Sequence, residues 1–267
     1  MFVRFVKLNP SENITLLVLS PVPREKHRHA ASKLMTMYPD AEQVGYLEPP
    51  QNAGSDARLQ MMGGEFCGNA SMATAAYIAN GRDNISLDVS GAYKPVVCGI
   101  KNTVEGTFGC VDMPLPILVR AVSSPIGNHT CHLTEMRFEG ISHYIYPCVN
   151  IDSVDTAVIE KSLLNIAADN PADAVGLILY DESNRFIKPL VYVRSTDSLV
   201  WERGCGSGTA AVGAYISYKN QSSVDVKIRQ PGGVIGVSSE FRDHKLEALK
   251  IEGKIEILGE YEAEIEI

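Results

Sequence analysis

The feature of this 267-residue chain that most restricts its fold is a short segment that occurs twice. The first copy reads Cys-Gly-Asn-Ala-Ser-Met-Ala-Thr-Ala-Ala-Tyr-Ile and begins at Cys67. The second reads Cys-Gly-Ser-Gly-Thr-Ala-Ala-Val-Gly-Ala-Tyr-Ile and begins at Cys205. At one constant offset the cysteine, the glycine, two alanines, the tyrosine and the isoleucine recur. We interpret the repeat as one structural unit in two copies, each placing a cysteine and a glycine at a helix start.

Both copies have the composition of a buried helix with a polar start. Small residues dominate, so each helix can pack in a tight space with little polar face. Gly68-Asn69 and Gly206-Ser207 lie where the first amide N–H groups have no intrahelical acceptor, and Asn and Ser are suited to capping. These N–H groups and the helix dipole favour a bound carboxylate, and the same field lowers the pKa of a neighbouring cysteine. Two such starts facing each other would give two thiols flanking one carboxylate pocket, able to remove a proton from one face and return one to the other.

Composition argues against several classes of protein. With 45% hydrophobic residues the chain can bury a substantial core, as one large domain or two smaller ones. The net charge of −8 argues against nucleic acid or an anionic membrane as the main partner. No apolar run approaches the roughly 18 residues of a membrane span, and the N-terminus is unlike a signal peptide. The six cysteines include no Cys-x-x-Cys pair, which favours the reducing cytoplasm as the location.

The order of elements predicts an α+β fold of two pseudo-symmetric halves, each a mixed, largely antiparallel sheet or barrel around one central helix. Amphipathic helices are predicted over 24–38 and 154–168, with strands around them. The segment Pro114-Leu115-Pro116 marks the boundary. The N-terminal half is 1–117, joined by the terminal strand at about 256–267, and the C-terminal half is 118–255, with the active-site cleft between them. The tail predicts two acidic, edge-like strands, which permit a homodimer without requiring one.

The paired Cys-Gly-Asn and Cys-Gly-Ser-Gly helix starts resemble those of the pyridoxal-phosphate-independent amino-acid racemases and epimerases of the diaminopimelate epimerase superfamily. The resemblance covers the full chain. Further segments that follow in family order are Asn13 before an opening β-segment, Val111-Asp112-Met113, Pro231-Gly232-Gly233 and Leu258-Gly259-Glu260. The resemblance implies the diaminopimelate epimerase-like fold for both halves.

The resemblance also implies a two-base racemisation of a small-molecule amino acid. One of Cys67 and Cys205 acts as a thiolate that takes the α-proton, and the other acts as a thiol that delivers one to the opposite face. The amides at Gly68-Asn69 and Gly206-Ser207 would hold the α-carboxylate and stabilise the charge that develops on it. No cofactor and no metal would be needed.

Departures from the family pattern bear on the substrate. In diaminopimelate epimerases an Asn, an Asn-Pro-His stretch and a later Asn grip the distal end of the substrate. Aligned with this chain, they fall on or beside Met61, on Tyr146-Pro147-Cys148 and near Ala174. Loss of these polar groups should weaken binding of a charged distal head. The resemblance therefore favours a branch acting on a single-headed amino acid, with histidine as the leading candidate, Tyr146 as a pocket residue and diaminopimelate epimerase as the alternative.

The segment before the second cysteine also departs from the family. Glu202-Arg203-Gly204 directly abuts Cys205, whereas the Glu-Arg-Gly of the family stands several residues earlier. Either the loop is shortened or the match is coincidental. The role of Glu202 in holding the substrate ammonium, and that of Arg203 in substrate binding, therefore stay open at the level of the sequence.

Two alternatives belong to other classes of protein. A non-racemising isomerase of the same fold is disfavoured by the presence of both cysteines. A non-enzymatic protein with a structural disulfide between Cys67 and Cys205 would lose stability on reduction, whereas a racemase should need reductant for activity.

One cluster of histidine and cysteine residues raises the question of a metal site. It comprises His129, Cys131 and His132, with His143 and Cys148 further along the chain. Because the spacing fits no common zinc template, we expect no metal here and place these residues in surface loops.

Overall fold

The computed structural model describes residues 1–266. Over these residues the protein is a mixed α+β molecule, mostly sheet, with four α-helices. The chain divides into two compact units. The first unit is Met1–Asp112 together with the chain from Glu252 onward, and the second is Met113–Ile251.

The bounds of the elements are as follows, in chain order. The first part of the chain forms β1 (Phe2–Pro10), β2 (Thr15–Val18), α1 (His27–Met37), β3 (Gln43–Glu48), β4 (Ala57–Met61), α2 (Gly68–Ile78), β5 (Asn84–Val89), β6 (Val96–Thr103) and β7 (Gly106–Asp112). The remainder forms β8 (Leu118–Ile126), β9 (His129–Arg137), β10 (Ile141–Pro147), α3 (Thr156–Ala168), β11 (Ala174–Asp181), β12 (Phe186–Val193), β13 (Ser198–Trp201), α4 (Gly206–Asn220), β14 (Val224–Gln230), β15 (Gly233–Arg242) and β16 (Lys245–Glu264).

The sheet of the first unit closes on itself. Strands β1 to β7 pair in sequence order, antiparallel except for the parallel pairs β2–β3 and β4–β5. Strand β16 lies beside β7, and its later part pairs antiparallel with β1 from Ile255 to Glu264. Helix α2 packs against β1, β2, β5, β6 and β7, and every residue from Gly68 to Ala75 is buried. An alanine-rich helix without a polar face is suited to a position enclosed by strands.

The second unit has a sheet in the order β15-β14-β12-β11-β10-β9-β8, with β13 beside β12. The pairs β10–β11 and β12–β14 are parallel, and the others are antiparallel. Helix α4 packs against β9, β10, β11, β14 and β15. Gly213 allows α4 to approach β15 closely, because a Cβ at this position would end 2.3 Å from Val237 Cγ2. Helix α3 packs against β8, β11 and β12.

The core of each unit also depends on its amphipathic helix. Helix α1 buries His27, Ala30, Ala31 and Leu34 against strands of the first unit. Helix α3 begins at Asp155, whose carboxylate accepts hydrogen bonds from the amides of Ala157 and Val158, as an N-cap aspartate does. Both helices lie close to the predicted ranges, with residues 24–26 forming a short 3₁₀ turn before α1.

Two predictions about strands are wrong. The tail forms one 20-residue strand, β16, in place of two, and its later part is paired with β1 and is not an edge. His129, Cys131 and His132 lie on β9 and not in a loop, although they are at most partly buried. Their polar character reflects a strand with a solvated face, which a polar stretch of sequence does not distinguish from a loop.

Candidate active site

Cys205 is the N-cap residue of α4. Its Sγ accepts a hydrogen bond from the Gly208 amide at 3.1 Å and lies 3.6 Å from the Ser207 hydroxyl. The Cys205 amide donates to Gln230 Oε1 at 2.8 Å, and the Thr209 hydroxyl donates to the Cys205 carbonyl at 2.7 Å. These contacts fix the position of a thiol that is almost fully buried at the helix start.

The surroundings of Cys205 favour its neutral thiol. Burial raises the pKa of Cys205 well above its usual value, and the negative charge of Glu202, which hydrogen-bonds the thiol, raises it further. The Ser207 hydroxyl and the Gly208 amide lower the pKa but do not offset these effects. The prediction that the helix start lowers the pKa of this cysteine is therefore wrong, because desolvation and a neighbouring carboxylate outweigh the helix field.

A buried histidine stands behind Ser207. His143 lies on β10, is fully buried, and its Nε2 is 2.9 Å from Ser207 Oγ. Burial lowers the pKa of His143 to about 3, so the imidazole is neutral. The second cysteine thus has two neighbours of different kinds, the Glu202 carboxylate and the hydroxyl–imidazole pair.

Cys67 is the N-cap residue of α2, in the same relation to its helix. Its Sγ accepts a hydrogen bond from the Ala70 amide at 3.4 Å, and the Ser71 hydroxyl donates to the Cys67 carbonyl at 2.7 Å. The Cys67 thiol donates to Gln43 Oε1 at 3.1 Å. The acceptor of this hydrogen bond is the oxygen of a neutral amide.

A chain of amides fixes the orientation of Gln43. The Asn13 Nδ2 group donates to Glu42 Oε2 at 2.6 Å, which leaves Asn13 Oδ1 to accept from Gln43 Nε2 at 2.5 Å. Gln43 Nε2 also donates to Thr15 Oγ1 at 2.8 Å. Because Gln43 Nε2 donates both of these hydrogen bonds, the side chain is oriented with Oε1 toward Cys67. The predicted site residue Asn13 thus reaches Cys67 through Gln43.

The caps of the two helices differ from the prediction. The sulfurs of Cys67 and Cys205 accept the capping hydrogen bonds, whereas Asn69 and Ser207 lie within the first turn. Among residues 1–266, the amides of Gly68, Gly206 and Ser207 have no hydrogen-bond acceptor. They are among the amides that a helix leaves unpaired at its start.

Two other predicted site residues have contacts elsewhere. The Tyr146 hydroxyl accepts a hydrogen bond from Cys131 Sγ at 3.4 Å, a contact that together with burial raises the pKa of Tyr146 to about 12. The Arg203 carbonyl accepts a hydrogen bond from the Gly232 amide at 2.8 Å, which ties the segment before α4 to the turn between β14 and β15.

Sequence reasoning missed three residues at the cysteines: Gln43, His143 and Gln230. Gln43 and Gln230 are isolated glutamines without a motif, and their contacts depend on the strands beside the helix starts. His143 offered one signal, since it lies between Ile141 and Ile145 in a strand. The sequence was interpreted instead as placing His143 in a surface loop, and this prediction is wrong, because His143 is fully buried on β10.

The part of the chain that the structure describes contains no group of three or more His, Cys, Asp or Glu side chains that could hold a metal ion. All six cysteines lie within this part, and none forms a disulfide. In residues 1–266 no helix has both the length and the apolarity that crossing a membrane requires.

Comparison with known proteins relates this chain and its fold to enzymes. A sequence model of the family described as "Histidine racemase CntK N-terminal domain" matches residues 2–263. A histidine racemase of Staphylococcus aureus (strain Mu50) is 34% identical over 251 residues, which covers 91% of this chain and 90% of that protein. A histidine racemase of Fusobacterium nucleatum subsp. nucleatum is 30% identical over 267 residues, which covers 96% of this chain and 94% of that protein.

A solved structure supports the same fold. The crystal structure of a probable proline racemase from Agrobacterium radiobacter K84, with bound carbonate, matches with a TM-score of 0.67 at 14% identity, over 99% of this chain and 93% of that chain. The fold is that of the racemases and epimerases, and the protein is an isomerase of this class. The chain belongs to the family of the histidine racemase CntK N-terminal domain. The predicted membership is confirmed, and the alternative of a non-enzymatic protein is wrong.

Proposed function

We propose that the protein is a cofactor-independent histidine racemase in which Cys67 and Cys205 act as a thiolate–thiol pair. The observation that carries the proposal is the common placement of the two sulfurs. Each caps the N-terminus of a buried helix and accepts a hydrogen bond from an amide of the first turn. One sulfur takes the α-proton and the other delivers a proton to the opposite face, so each turnover inverts the α-carbon.

The first-turn amides of both helices hold the α-carboxylate in this proposal. These are the amides of Gly68 and Asn69 in α2 and of Gly206 and Ser207 in α4. The unpaired amides of Gly68, Gly206 and Ser207 support this role, as does the positive end of each helix dipole. When the α-proton leaves, negative charge moves onto the carboxylate, and the amides stabilise it there.

Glu202 binds the substrate ammonium and thereby controls Cys205. Its carboxylate hydrogen-bonds the Cys205 thiol and raises the pKa of that thiol. An ammonium group bound to Glu202 would offset this negative charge, so the thiolate of Cys205 becomes accessible when substrate is present. The position of Glu202 only three residues before Cys205 then has a function, because it brings the carboxylate to the thiol. For Arg203 and Tyr146, substrate contact stays a prediction.

The choice of histidine as substrate rests on the family and on two relatives. Both relatives are histidine racemases, and each is covered over at least 90% of its length. The apolar residues Met61 and Ala174 support a single-headed substrate, because the asparagines of diaminopimelate epimerases align on or beside Met61 and near Ala174. Met61 is fully buried at the end of β4.

We further propose that the two units are copies of one ancestral unit, with the halves at 1–117 and 118–255 and the terminal strand joined to the first. The order of pairings supports a duplication. From β1 to β6, and again from β9 to β15 without β13, pairs alternate as antiparallel, parallel, antiparallel, parallel, antiparallel. Both sulfurs must stay reduced to act, which suits the cytoplasm.

Exchange of the α-proton in D2O tests this function. The reduced protein is incubated with single L-amino acids and with diaminopimelate, and deuterium incorporation and inversion are followed by NMR and chiral chromatography. We expect inversion with deuterium uptake, fastest for histidine. Cys67→Ser and Cys205→Ser should each lower the rate by about 10²–10⁴-fold, the usual range for loss of a general acid or base.

Two other cysteines provide matched controls. Cys98→Ser and Cys110→Ser should retain the rate, because both cysteines lie within strands, β6 and β7, and not at a helix start. Exchange with diaminopimelate alone would identify the protein as a diaminopimelate epimerase, the alternative function, and not as a histidine racemase. Equal activity of all four variants would overturn the two-cysteine mechanism.

A further inference from the structure

One buried group of the second unit has no role in the proposed reaction. His143 is fully buried on β10, with Nε2 at 2.9 Å from Ser207 Oγ. Ser207 Oγ is in turn 3.6 Å from Cys205 Sγ. The Ser207 hydroxyl therefore contacts both the His143 imidazole and the Cys205 thiol.

The other ring nitrogen indicates which atom of His143 carries the proton. Nδ1 has no hydrogen-bond partner among residues 1–266. Gly176 lies opposite His143 in the β10–β11 register, and a Cβ on Gly176 would end 2.3 Å from Nδ1. A Cα hydrogen of Gly176 therefore points at Nδ1. Such a contact is weakly attractive for a lone pair and repulsive for an N–H group, and buried N–H groups without acceptors are rare. The ring proton therefore belongs on Nε2.

The protonation state of Nε2 sets the direction of the next hydrogen bond. If Nε2–H donates to Ser207 Oγ, the Ser207 hydroxyl proton is not needed by the ring and can turn toward Cys205. A hydroxyl without this partner would rotate among other acceptors. The imidazole is neutral, so it supplies a donor without adding a charge beside the sulfur.

We propose that His143 is a positioning residue for Cys205: its Nε2–H group holds Ser207 so that the Ser207 hydroxyl donates to Cys205 Sγ and stabilises the thiolate. This inference rests on the proposed function, in which Cys205 must become a thiolate in one half of the reaction. Burial and Glu202 oppose that state, and the Gly208 amide and the Ser207 hydroxyl favour it. His143 does not touch the substrate and acts through Ser207.

The experiment follows alkylation of Cys205 by iodoacetamide across pH, resolved by peptide mass spectrometry without substrate. The variants are His143→Leu, His143→Gln, Ser207→Ala and the double variant His143→Leu/Ser207→Ala. Gln places a donor near the position of Nε2, and Leu places none. His27→Gln is the matched control, since His27 is a buried histidine of the first unit whose Nε2 contacts the Val22 carbonyl at 2.9 Å.

We expect His143→Leu to slow alkylation at pH 8 by about 3- to 10-fold. Hydrogen bonds to charged groups stabilise more than neutral ones, but the bond from the Ser207 hydroxyl to Cys205 Sγ is long, so the effect stays moderate. Ser207→Ala should slow it at least as much, and the double variant should equal Ser207→Ala. His143→Gln should recover most of the rate, and His27→Gln should leave it unchanged. In racemisation, His143→Leu should lower kcat several-fold with KM within about twofold.

A merely structural role would give other results. Unchanged alkylation in folded His143→Leu, or effects of His143→Leu and Ser207→Ala that multiply, would overturn the inference. If His143→Leu does not fold, Gly176→Ala replaces it. The added Cβ would clash with Nδ1 and displace the ring from Ser207, which should slow alkylation likewise. Failure of Gly176→Ala to do so would also overturn it.

Failure of the inference is distinguishable from failure of the proposed function. Alkylation of Cys205 requires no amino-acid substrate, so the expected order of rates would support the role of His143 even in a protein that racemises nothing. Racemisation of histidine with unchanged alkylation in the His143 variants would overturn the inference alone.

Discussion

At the scale of single residues, the two cysteines occupy the same backbone position and have different side-chain neighbours. Cys67 donates to the neutral amide oxygen of Gln43, which Asn13 holds in one orientation. Cys205 lies beside a carboxylate and near a hydroxyl supported by an imidazole. The negative charge of Glu202 therefore raises the pKa of Cys205, and a cation bound to Glu202 would lower that pKa again.

The charge of Glu202 can be removed with little change in shape. In Glu202→Gln one cause of the raised pKa of Cys205 is lost, so its pKa should fall and its thiolate fraction at any pH below that pKa should rise. We expect faster alkylation of Cys205 in the free protein, by about 10-fold for a shift of one pKa unit. Racemisation should nevertheless become slower, because the substrate ammonium loses its partner.

Cys148 serves as the internal reference for this measurement. Its pKa is raised to about 11, mainly by burial, and Glu202 is not among the causes. The ratio of the two alkylation rates in one sample corrects for differences in reagent and stability. A ratio that does not rise in Glu202→Gln would contradict the influence of Glu202 on Cys205.

At the scale of elements, the four helices are of two kinds. Helices α1 and α3 bury one face, as amphipathic periodicity predicts, although Leu164 of α3 is 42% exposed. Helices α2 and α4 are buried over most of their length, and their small residues allow strands to approach from several directions. The sulfur caps are thereby held at the ends of rigid, enclosed helices.

Gly213 tests how close this packing is. Ala is the better helix former by about 1 kcal/mol, but its Cβ would end 2.3 Å from Val237 Cγ2, and overpacking costs about 1–3 kcal/mol. Because the Val237 side chain is buried and short, we expect Gly213→Ala to lower the free energy of unfolding, measured by urea denaturation. In a Val237→Ala background the same change should become neutral or stabilising. Destabilisation of equal size in both backgrounds would contradict this explanation.

At the scale of the whole molecule, one strand belongs to both units. The division of the chain falls within β16, whose residues from Glu252 onward belong to the first unit. Those residues pair with β1 and close the ring of strands around α2. The fold of the first unit therefore depends on the last residues of the chain, far from Cys67 in sequence.

Deletion of residues 252–267 should open the first unit. Strands β1 and β7 would each lose a neighbour, and the helix that carries Cys67 would lose its enclosure. Cys98 is fully buried in β6 and reports on this unit. We expect Cys98 to react with iodoacetamide at the rate of an unfolded thiol, whereas the amides of α4 stay protected in hydrogen exchange. The substitution Ile257→Ser, at an exposed position of β16, should leave Cys98 protected. Protection of Cys98 in the truncated chain would contradict the role given to β16.

The sequence by itself determined the local features of this protein. The repeated Cys-Gly segments, small residues and apolar periodicity indicated the four helices, the mixed sheet and the family, because capping, packing of small side chains and periodicity act over a few residues. Cys67 and Cys205 were proposed as site residues from the repeat, and Asn13 from the family resemblance.

Only the tertiary structure decided what surrounds the sulfurs. Gln43, His143 and Gln230 reach the helix starts because strands distant in sequence pair in a particular register, which no local pattern encodes. The raised pKa of Cys205 follows from burial and from the position of Glu202, and both depend on the folded chain. The closure of the first sheet by β16 likewise comes from pairing between the two ends of the chain, and the alternation of acidic and apolar residues there indicated only a strand.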